Sequence, residues 1–192
     1  MPAAVLAGGA SSRMGRPKAE LAYGGGTLLE FQAKRLSETF EEVVAVVKEI
    51  PAFEVGPARV VLDRSSEHAA IHGLARALEE ARDRIFVLAV DLPAMTPAVA
   101  RRIAERAVAS PALAVVPRAN GRLQPLAAVW RKAALAEIQR REVAGQRSLR
   151  DLAAAVGAEI LEEPAWKDVD PAGAAFANLN TLEEWEAHRE RA

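Results

Sequence analysis

Residues 3–18 read Ala-Ala-Val-Leu-Ala-Gly-Gly-Ala-Ser-Ser-Arg-Met-Gly-Arg-Pro-Lys, an apolar run followed by a glycine-rich loop with cationic side chains. The apolar run, residues 3–7, predicts a buried strand. Glycines directly after a strand let backbone N–H groups approach a ligand that a Cβ atom would hold off. Arginine and lysine beside such a loop suit a polyphosphate. The sequence therefore predicts a strand-loop unit that binds a nucleotide.

Three further runs rich in valine, leucine and alanine predict buried strands at residues 43–47, 60–62 and 85–90. They lack regular polar alternation, which is typical of parallel strands covered on both faces. Residues 28–40 and 69–81, between these strands, have the apolar spacing of helices. The order strand, helix, strand, strand, helix, strand predicts an α/β fold. In this three-layer αβα arrangement, a Rossmann-like, mostly parallel sheet lies between two layers of helices.

The second half of the chain predicts a smaller extension with mixed strands. A third helix is expected at 96–109, where threonine caps and proline takes the first helical position. Two apolar runs, 113–117 and 123–130, flank Asn120-Gly121, a strong hairpin signal. Further elements are expected in this order: helices at 132–142 and 148–156, a strand at 159–163, a loop with Pro164, Pro171 and Gly173, and a last helix opened by a capping box from Thr181 to Glu184. We find no repeat or linker and expect one domain over residues 1–192.

Composition excludes several classes of protein. The 192 residues are 51% hydrophobic and carry 25 basic against 26 acidic side chains, so the overall basic charge of a nucleic-acid-binding protein is absent. The chain has no cysteine, which excludes disulfides and thiolate chemistry. Neither a leader nor a long uncharged apolar stretch is found, so we expect a cytoplasmic protein without a membrane partner.

The loop does not match two well-known phosphate loops. A P-loop needs four residues between its glycine and a Gly-Lys pair, whereas five residues separate Gly9 from Gly15 and Lys18 stands three beyond Gly15. The three-glycine dinucleotide register is also absent. A tight turn with solvated cations is the plain alternative to a phosphate site.

Residues 6–18 resemble the signature Leu-Ala-Gly/Ala-Gly-x-Ser-x-Arg-Met-Gly-x-x-Lys of nucleotidyltransferases in molybdenum cofactor assembly. The chain is similar to the molybdenum cofactor guanylyltransferases, the molybdopterin-guanine dinucleotide biosynthesis protein A family, which has a glycosyltransferase-A-like fold. The glycine at position 8, the third position of the signature, is typical of the guanylyltransferases, whereas cytidylyltransferases carry alanine there. The resemblance implies transfer of GMP from GTP to a molybdopterin-type cofactor, with Mg²⁺ and release of pyrophosphate.

The resemblance also implies a set of GTP-binding residues, of which Arg13, Lys18 and Asp91 would be catalytic. Asp91 directly follows the strand at 85–90, where ligand crevices of α/β sheets lie, and the matching family aspartate binds magnesium. Capping of a turn is the alternative role. The implied GTP-binding residues are Leu6, Ala7, Gly8, Gly9, Arg13, Lys18, Asp63 and Asp91.

Asp63 matches a family aspartate near the nucleotide base. Its carboxylate would accept hydrogen bonds from guanine N1–H and the exocyclic amine, which cytosine cannot reproduce. A turn-capping role is the alternative. Many guanylyltransferases have an asparagine near the base, and none occurs at residues 46–49. We expect His68 and His72 to be surface or helix residues rather than catalysts.

For the second substrate, the resemblance implies molybdopterin-binding residues Arg118, Gln124, Asn178 and Asn180. A solvated hairpin without a binding role would equally explain the presence of Arg118. A role as the cap of the last helix explains Thr181, but it does not explain the two asparagines that precede it. The resemblance further implies transient contact with cofactor-assembly or molybdoenzyme proteins.

Two other functions fit the same residues. One is a related nucleotidyltransferase that uses CTP or acts on a sugar phosphate or phospholactate. The other is a non-catalytic nucleotide-binding adaptor. Magnesium-dependent release of pyrophosphate separates an enzyme from an adaptor.

Overall fold

The centre of the molecule is a twisted sheet, described here from a computed structural model that covers residues 1–8 and 17–179. The strands are β1 Ala3–Leu6, β2 Ala22–Tyr23, β3 Gly26–Thr27, β4 Val43–Val47, β5 Arg59–Leu62, β6 Arg84–Ala89, β7 Ala114–Ala119, β8 Arg122–Leu123, β9 Ala127–Arg131 and β10 Glu159–Leu161. The helices are α1 Leu28–Ser37, α2 Ala70–Glu80, α3 Pro97–Ala109, α4 Leu135–Val143 and α5 Leu149–Ala155.

The strand order is β5-β4-β1-β6-β9-β7-β10, with β8 paired to β7 and a separate β2–β3 ribbon. Along this path β9 is antiparallel to both of its neighbours, while the other pairs are parallel. Helices α1 and α3 pack on one face, and α2, α4 and α5 pack on the other. This confirms the predicted three-layer α/β fold with a mixed-strand extension.

Burial on both faces explains why the strands lack alternation. All five residues of β4 are buried, because α1 covers one face and α2 the other. The predicted helix at 28–40 ends earlier, at Ser37. Phe40 still contributes to the core, where its ring stacks on Phe86 with centroids 5.0 Å apart. The apolar pattern therefore continues past the end of the helix.

The predicted hairpin forms at Asn120-Gly121, whose positive φ angles of 49° and 71° fit a type I′ turn. The run at 123–130 is not one strand, however. The Gln124 N–H donates to the Pro117 carbonyl and the Ala127 N–H donates to the Gln124 carbonyl, so a turn separates β8 from β9. Proline at 125 favours this break. Strand β9 then inserts between β6 and β7, which local pattern does not indicate.

The parallel strands end at one edge of the sheet. Gly8, Lys48, Asp63 and Asp91 follow β1, β4, β5 and β6 and gather at that edge. The predicted last helix from residue 181 lies outside the described residues. No helix within residues 1–8 and 17–179 has the length and apolar character needed to cross a membrane.

Candidate functional site

A cleft of about 290 Å³ opens at the carboxyl edge of the sheet. One wall comes from the end of β1 and another from the start of α2; the end of β6 completes it. The described lining residues are Leu6, Ala7, Gly8, Lys18, Val46, Asp63, His68, Ala69, Ala70, Gly73, Ala89, Val90, Asp91 and Leu126. The six predicted GTP-binding residues that lie in the described part of the chain therefore share one cleft.

Lys18 and Asp91 form an ion pair in this cleft. Lys18 begins a short 3-10 turn, and its Nζ lies 3.2 Å from Asp91 Oδ2 although 73 residues separate them. The side chains are 19% and 26% exposed, so both groups are accessible from the cleft. A cation and a carboxylate placed together can hold a phosphate and a divalent metal ion, respectively.

The backbone that carries Asp91 is held from two directions. The buried Gln32 side chain donates from Nε2 to the Val90 carbonyl at 3.0 Å. The Leu179 N–H donates to the Asp91 carbonyl at 2.9 Å. These contacts anchor the loop after β6 to α1 and to the C-terminal segment. Asn178, one of the residues predicted to bind the acceptor, directly precedes Leu179 in the chain.

Asp63 lies in the cleft and is only 7% exposed. Its Oδ1 accepts from the Ser65 N–H at 2.9 Å, which confirms the turn-capping role. Its Oδ2 lies 2.8 Å from Lys48 Nζ. The two interpretations of Asp63 are therefore compatible, because a capped carboxylate can still face the cleft.

Lys48 is the residue that the sequence analysis missed. It occupies the stretch where an asparagine was sought, and its ammonium donates to the carbonyls of Ser65 and Glu67 at 2.7 Å each, besides pairing with Asp63. The sequence does contain a sign of this ion pair, because Lys48 directly follows one strand and Asp63 directly follows the next. Only the pairing of β4 with β5 shows that they meet.

Of the two histidines, only His68 is among the described residues that line the cleft. His68 lines it, and its Nδ1 is 3.4 Å from the Gly8 carbonyl. His72 lies in α2 between the carboxylates of Glu142 and Glu67. Arg147 also binds Glu67, and this hydrogen bond, more than that from His72, lowers the pKa of Glu67 to about 2. His72 is thus a helix residue, as predicted.

The remaining predicted residues lie elsewhere. Arg118 lies on β7 and donates to Glu162 at 3.2 Å, and Gln124 lies in the turn after β8, so neither belongs to the described cleft lining. Asn178 is exposed. Gly9, Arg13 and Asn180 lie outside the described residues, and their roles stay predictions.

The residues present fit a magnesium ion shared with a nucleotide. Asp91 offers an accessible carboxylate, the oxygen ligand that Mg²⁺ prefers. Across the described ranges, no cluster of three or more acidic or histidine side chains is arranged as a metal cage. A single carboxylate suits Mg²⁺ that takes its other ligands from phosphates and water.

Comparison with known proteins places this chain in a family. A relative from Chloroflexus aggregans, named a probable molybdenum cofactor guanylyltransferase, is 32% identical over 94% of this chain and 89% of its own length. One from Opitutus terrae with the same name is 34% identical over 98% of this chain and 94% of its own length.

Among solved structures, a molybdopterin-guanine dinucleotide biosynthesis protein A from Archaeoglobus fulgidus has a TM-score of 0.85. It covers 100% of this chain and 98% of its own, and at 22% identity it shows a shared fold. The profile of the MobA-like NTP transferase domain matches residues 3–163. The chain belongs to the family of MobA-like NTP transferase domains.

Proposed function

We propose that the protein transfers GMP from GTP to a molybdopterin-type cofactor and releases pyrophosphate. The observation that carries this proposal is that an ion pair suited to phosphates and a separate carboxylate suited to a base lie in one cleft. Asp91, which is paired with Lys18, follows β6, and the Asp63 carboxylate follows β5. Three strand spacings separate β5 from β6, about 14 Å, a length that suits a nucleoside triphosphate lying across the strand ends.

The base end of the nucleotide would lie at Asp63. A carboxylate accepts but cannot donate hydrogen bonds, so it matches the N1–H and exocyclic amine of guanine and not the acceptor edge of cytosine. The curated relatives from Chloroflexus aggregans and Opitutus terrae, both named guanylyltransferases, support the same base. We therefore favour GTP over CTP.

The phosphate end would lie at Lys18 and Asp91. Lys18 would bind phosphate oxygens, while Asp91 would hold Mg²⁺, which supplies charge neutralisation between the phosphates when bound. The attacking group is the terminal phosphate of the acceptor, with a second pKa near 6, so at neutral pH it is already an anion and needs no general base. Catalysis then depends on positioning the two anions and on offsetting their repulsion.

The acceptor would approach from the side of the C-terminal segment. In support of this direction, the exposed Asn178 directly precedes Leu179, whose N–H donates to the Asp91 carbonyl. Arg118 and Gln124, farther along the sheet, would extend the acceptor site. Because the product is a cofactor of other enzymes, the proposed function implies transient contact with cofactor-assembly or molybdoenzyme proteins.

Release of pyrophosphate tests the proposal. Protein, Mg²⁺ and a molybdopterin-type acceptor are mixed with GTP or with CTP, and pyrophosphate is measured over time. We expect release with GTP that stops when Mg²⁺ is chelated. Equal efficiency with CTP would contradict the base assignment, and GTP binding without pyrophosphate release would favour a nucleotide-binding adaptor.

A further inference from the structure

Lys48 contacts three groups of the loop at residues 63–67. Its Nζ lies 2.8 Å from Asp63 Oδ2 and 2.7 Å from the carbonyl oxygens of Ser65 and Glu67. Two of the three N–H donors of the ammonium bond these carbonyls, and its charge forms an ion pair with Asp63. The side chain is 17% exposed, and Lys48 is not among the described residues that line the cleft. Lys48 therefore holds this loop without lining the cleft.

This arrangement leaves Asp63 able to accept two more hydrogen bonds. A carboxylate has about four lone-pair sites, two on each oxygen. In the described structure, Oδ1 accepts from the Ser65 N–H, while Oδ2 forms an ion pair with the Lys48 ammonium. The ammonium also compensates the cost of burying a charge in a residue that is 7% exposed. One acceptor site on each oxygen remains for a ligand with two adjacent donors.

Lys48 also explains the glycine at position 8. A Cβ atom built on Gly8 would lie 3.2 Å from Lys48 Cγ, closer than ordinary van der Waals contact. The glycine therefore makes room for the lysine stem. Gly8, Lys48 and Asp63 form one packed unit at the ends of β1, β4 and β5, which we name the carboxylate support.

We propose that Lys48 is a positioning residue that sets the base specificity of the cleft. It holds the Asp63 carboxylate in its orientation, so that an acceptor site on each oxygen stays available to the two donors of guanine. The inference rests on the proposed function, which it deepens by naming the residue that keeps the base-reading carboxylate in place. Lys48 itself does not contact the nucleotide.

The test measures discrimination between GTP and ITP, because inosine lacks the exocyclic amine. Dissociation constants are determined calorimetrically with Mg²⁺ for the wild type and for Lys48→Met and Lys48→Gln. Lys132→Met is the matched control, since Lys132 Nζ also donates to two carbonyls, those of Glu79 and Ala81, at the opposite edge of the sheet. Circular dichroism checks that each variant is folded.

We expect the wild type to bind GTP about tenfold more tightly than ITP, the value of one hydrogen bond to a charged group. This ratio should fall below about threefold in both Lys48 variants and stay unchanged in Lys132→Met. A folded Lys48 variant that keeps the wild-type ratio would overturn the inference, as would an equal loss in the control.

Gly8→Ala gives a second route that retains the lysine, in case neither Lys48 variant folds. The added Cβ should shift the Lys48 stem by a few tenths of an ångström and lower the GTP to ITP ratio, whereas an unchanged ratio would overturn the inference. A wild type that does not prefer GTP to CTP would instead contradict the proposed function itself. The two failures are thus distinguishable.

Discussion

Replacing Asp91 with asparagine should strengthen GTP binding in the absence of magnesium and weaken it in the presence of magnesium. In the structure the Asp91 carboxylate pairs with Lys18, so phosphate oxygens must compete with it for the lysine. The same carboxylate repels the phosphates unless a metal ion lies between them. Asp91→Asn keeps the shape of the side chain and removes both effects.

The size of the change follows from the geometry of the ion pair. At 3.2 Å the attraction is about 5 kcal/mol for an effective dielectric constant of about 20. The side chains are 19% and 26% exposed, so desolvation and lost side-chain entropy leave a net value of about 1 kcal/mol. Without Mg²⁺, Asp91→Asn should therefore bind GTP at least about fivefold more tightly than the wild type. With Mg²⁺ it should bind at least about tenfold more weakly, because the proposed carboxylate ligand of the metal is lost.

Calorimetric titrations with GTP, in excess Mg²⁺ and in a chelator, measure both effects. Asp168→Asn is the control, since it makes the same change in the Arg102–Asp168 pair on the surface. Both affinities of the control should match the wild type. Weaker or equal GTP binding by Asp91→Asn in the chelator would refute the competition between Asp91 and phosphate.

Three further predictions concern separate features. Lys18→Ala should raise the KM for Mg·GTP about tenfold because a phosphate-binding cation is lost, and an unchanged KM would contradict this role. Gly121→Ala should lower the free energy of unfolding in urea by about 1 kcal/mol, since φ is +71° there, without changing GTP affinity; an unchanged midpoint would count against the turn assignment. Arg147→Met should return the pKa of Glu67 from about 2 toward 4.5 in an NMR titration. Because that pKa is lowered in the folded protein, the stabilisation by this pair is present above about pH 4.5 and is lost as the pH falls toward 2; a pKa that stays near 2 would show that other groups lower it.

Local patterns sufficed for most of the fold. The strand at 43–47 and the third helix were predicted at or within a residue of their bounds, because burial on both faces and a Thr-Pro start leave clear marks in sequence. The β2–β3 hairpin was missed. Its strands have two residues each, too few for a periodic pattern, although Gly24 and Gly25 with positive φ supply its turn.

The sequence by itself determined the fold class, the glycine-rich loop after β1 and the aspartates that follow strands. Each depends on residues close together in the chain, so a local motif can carry the information. Tertiary structure alone decided the insertion of β9 between β6 and β7, the pairing of Lys18 with Asp91 and the support of Asp63 by Lys48. These contacts depend on which strands become neighbours in the sheet, and long-range strand pairing leaves no periodic signal in the sequence.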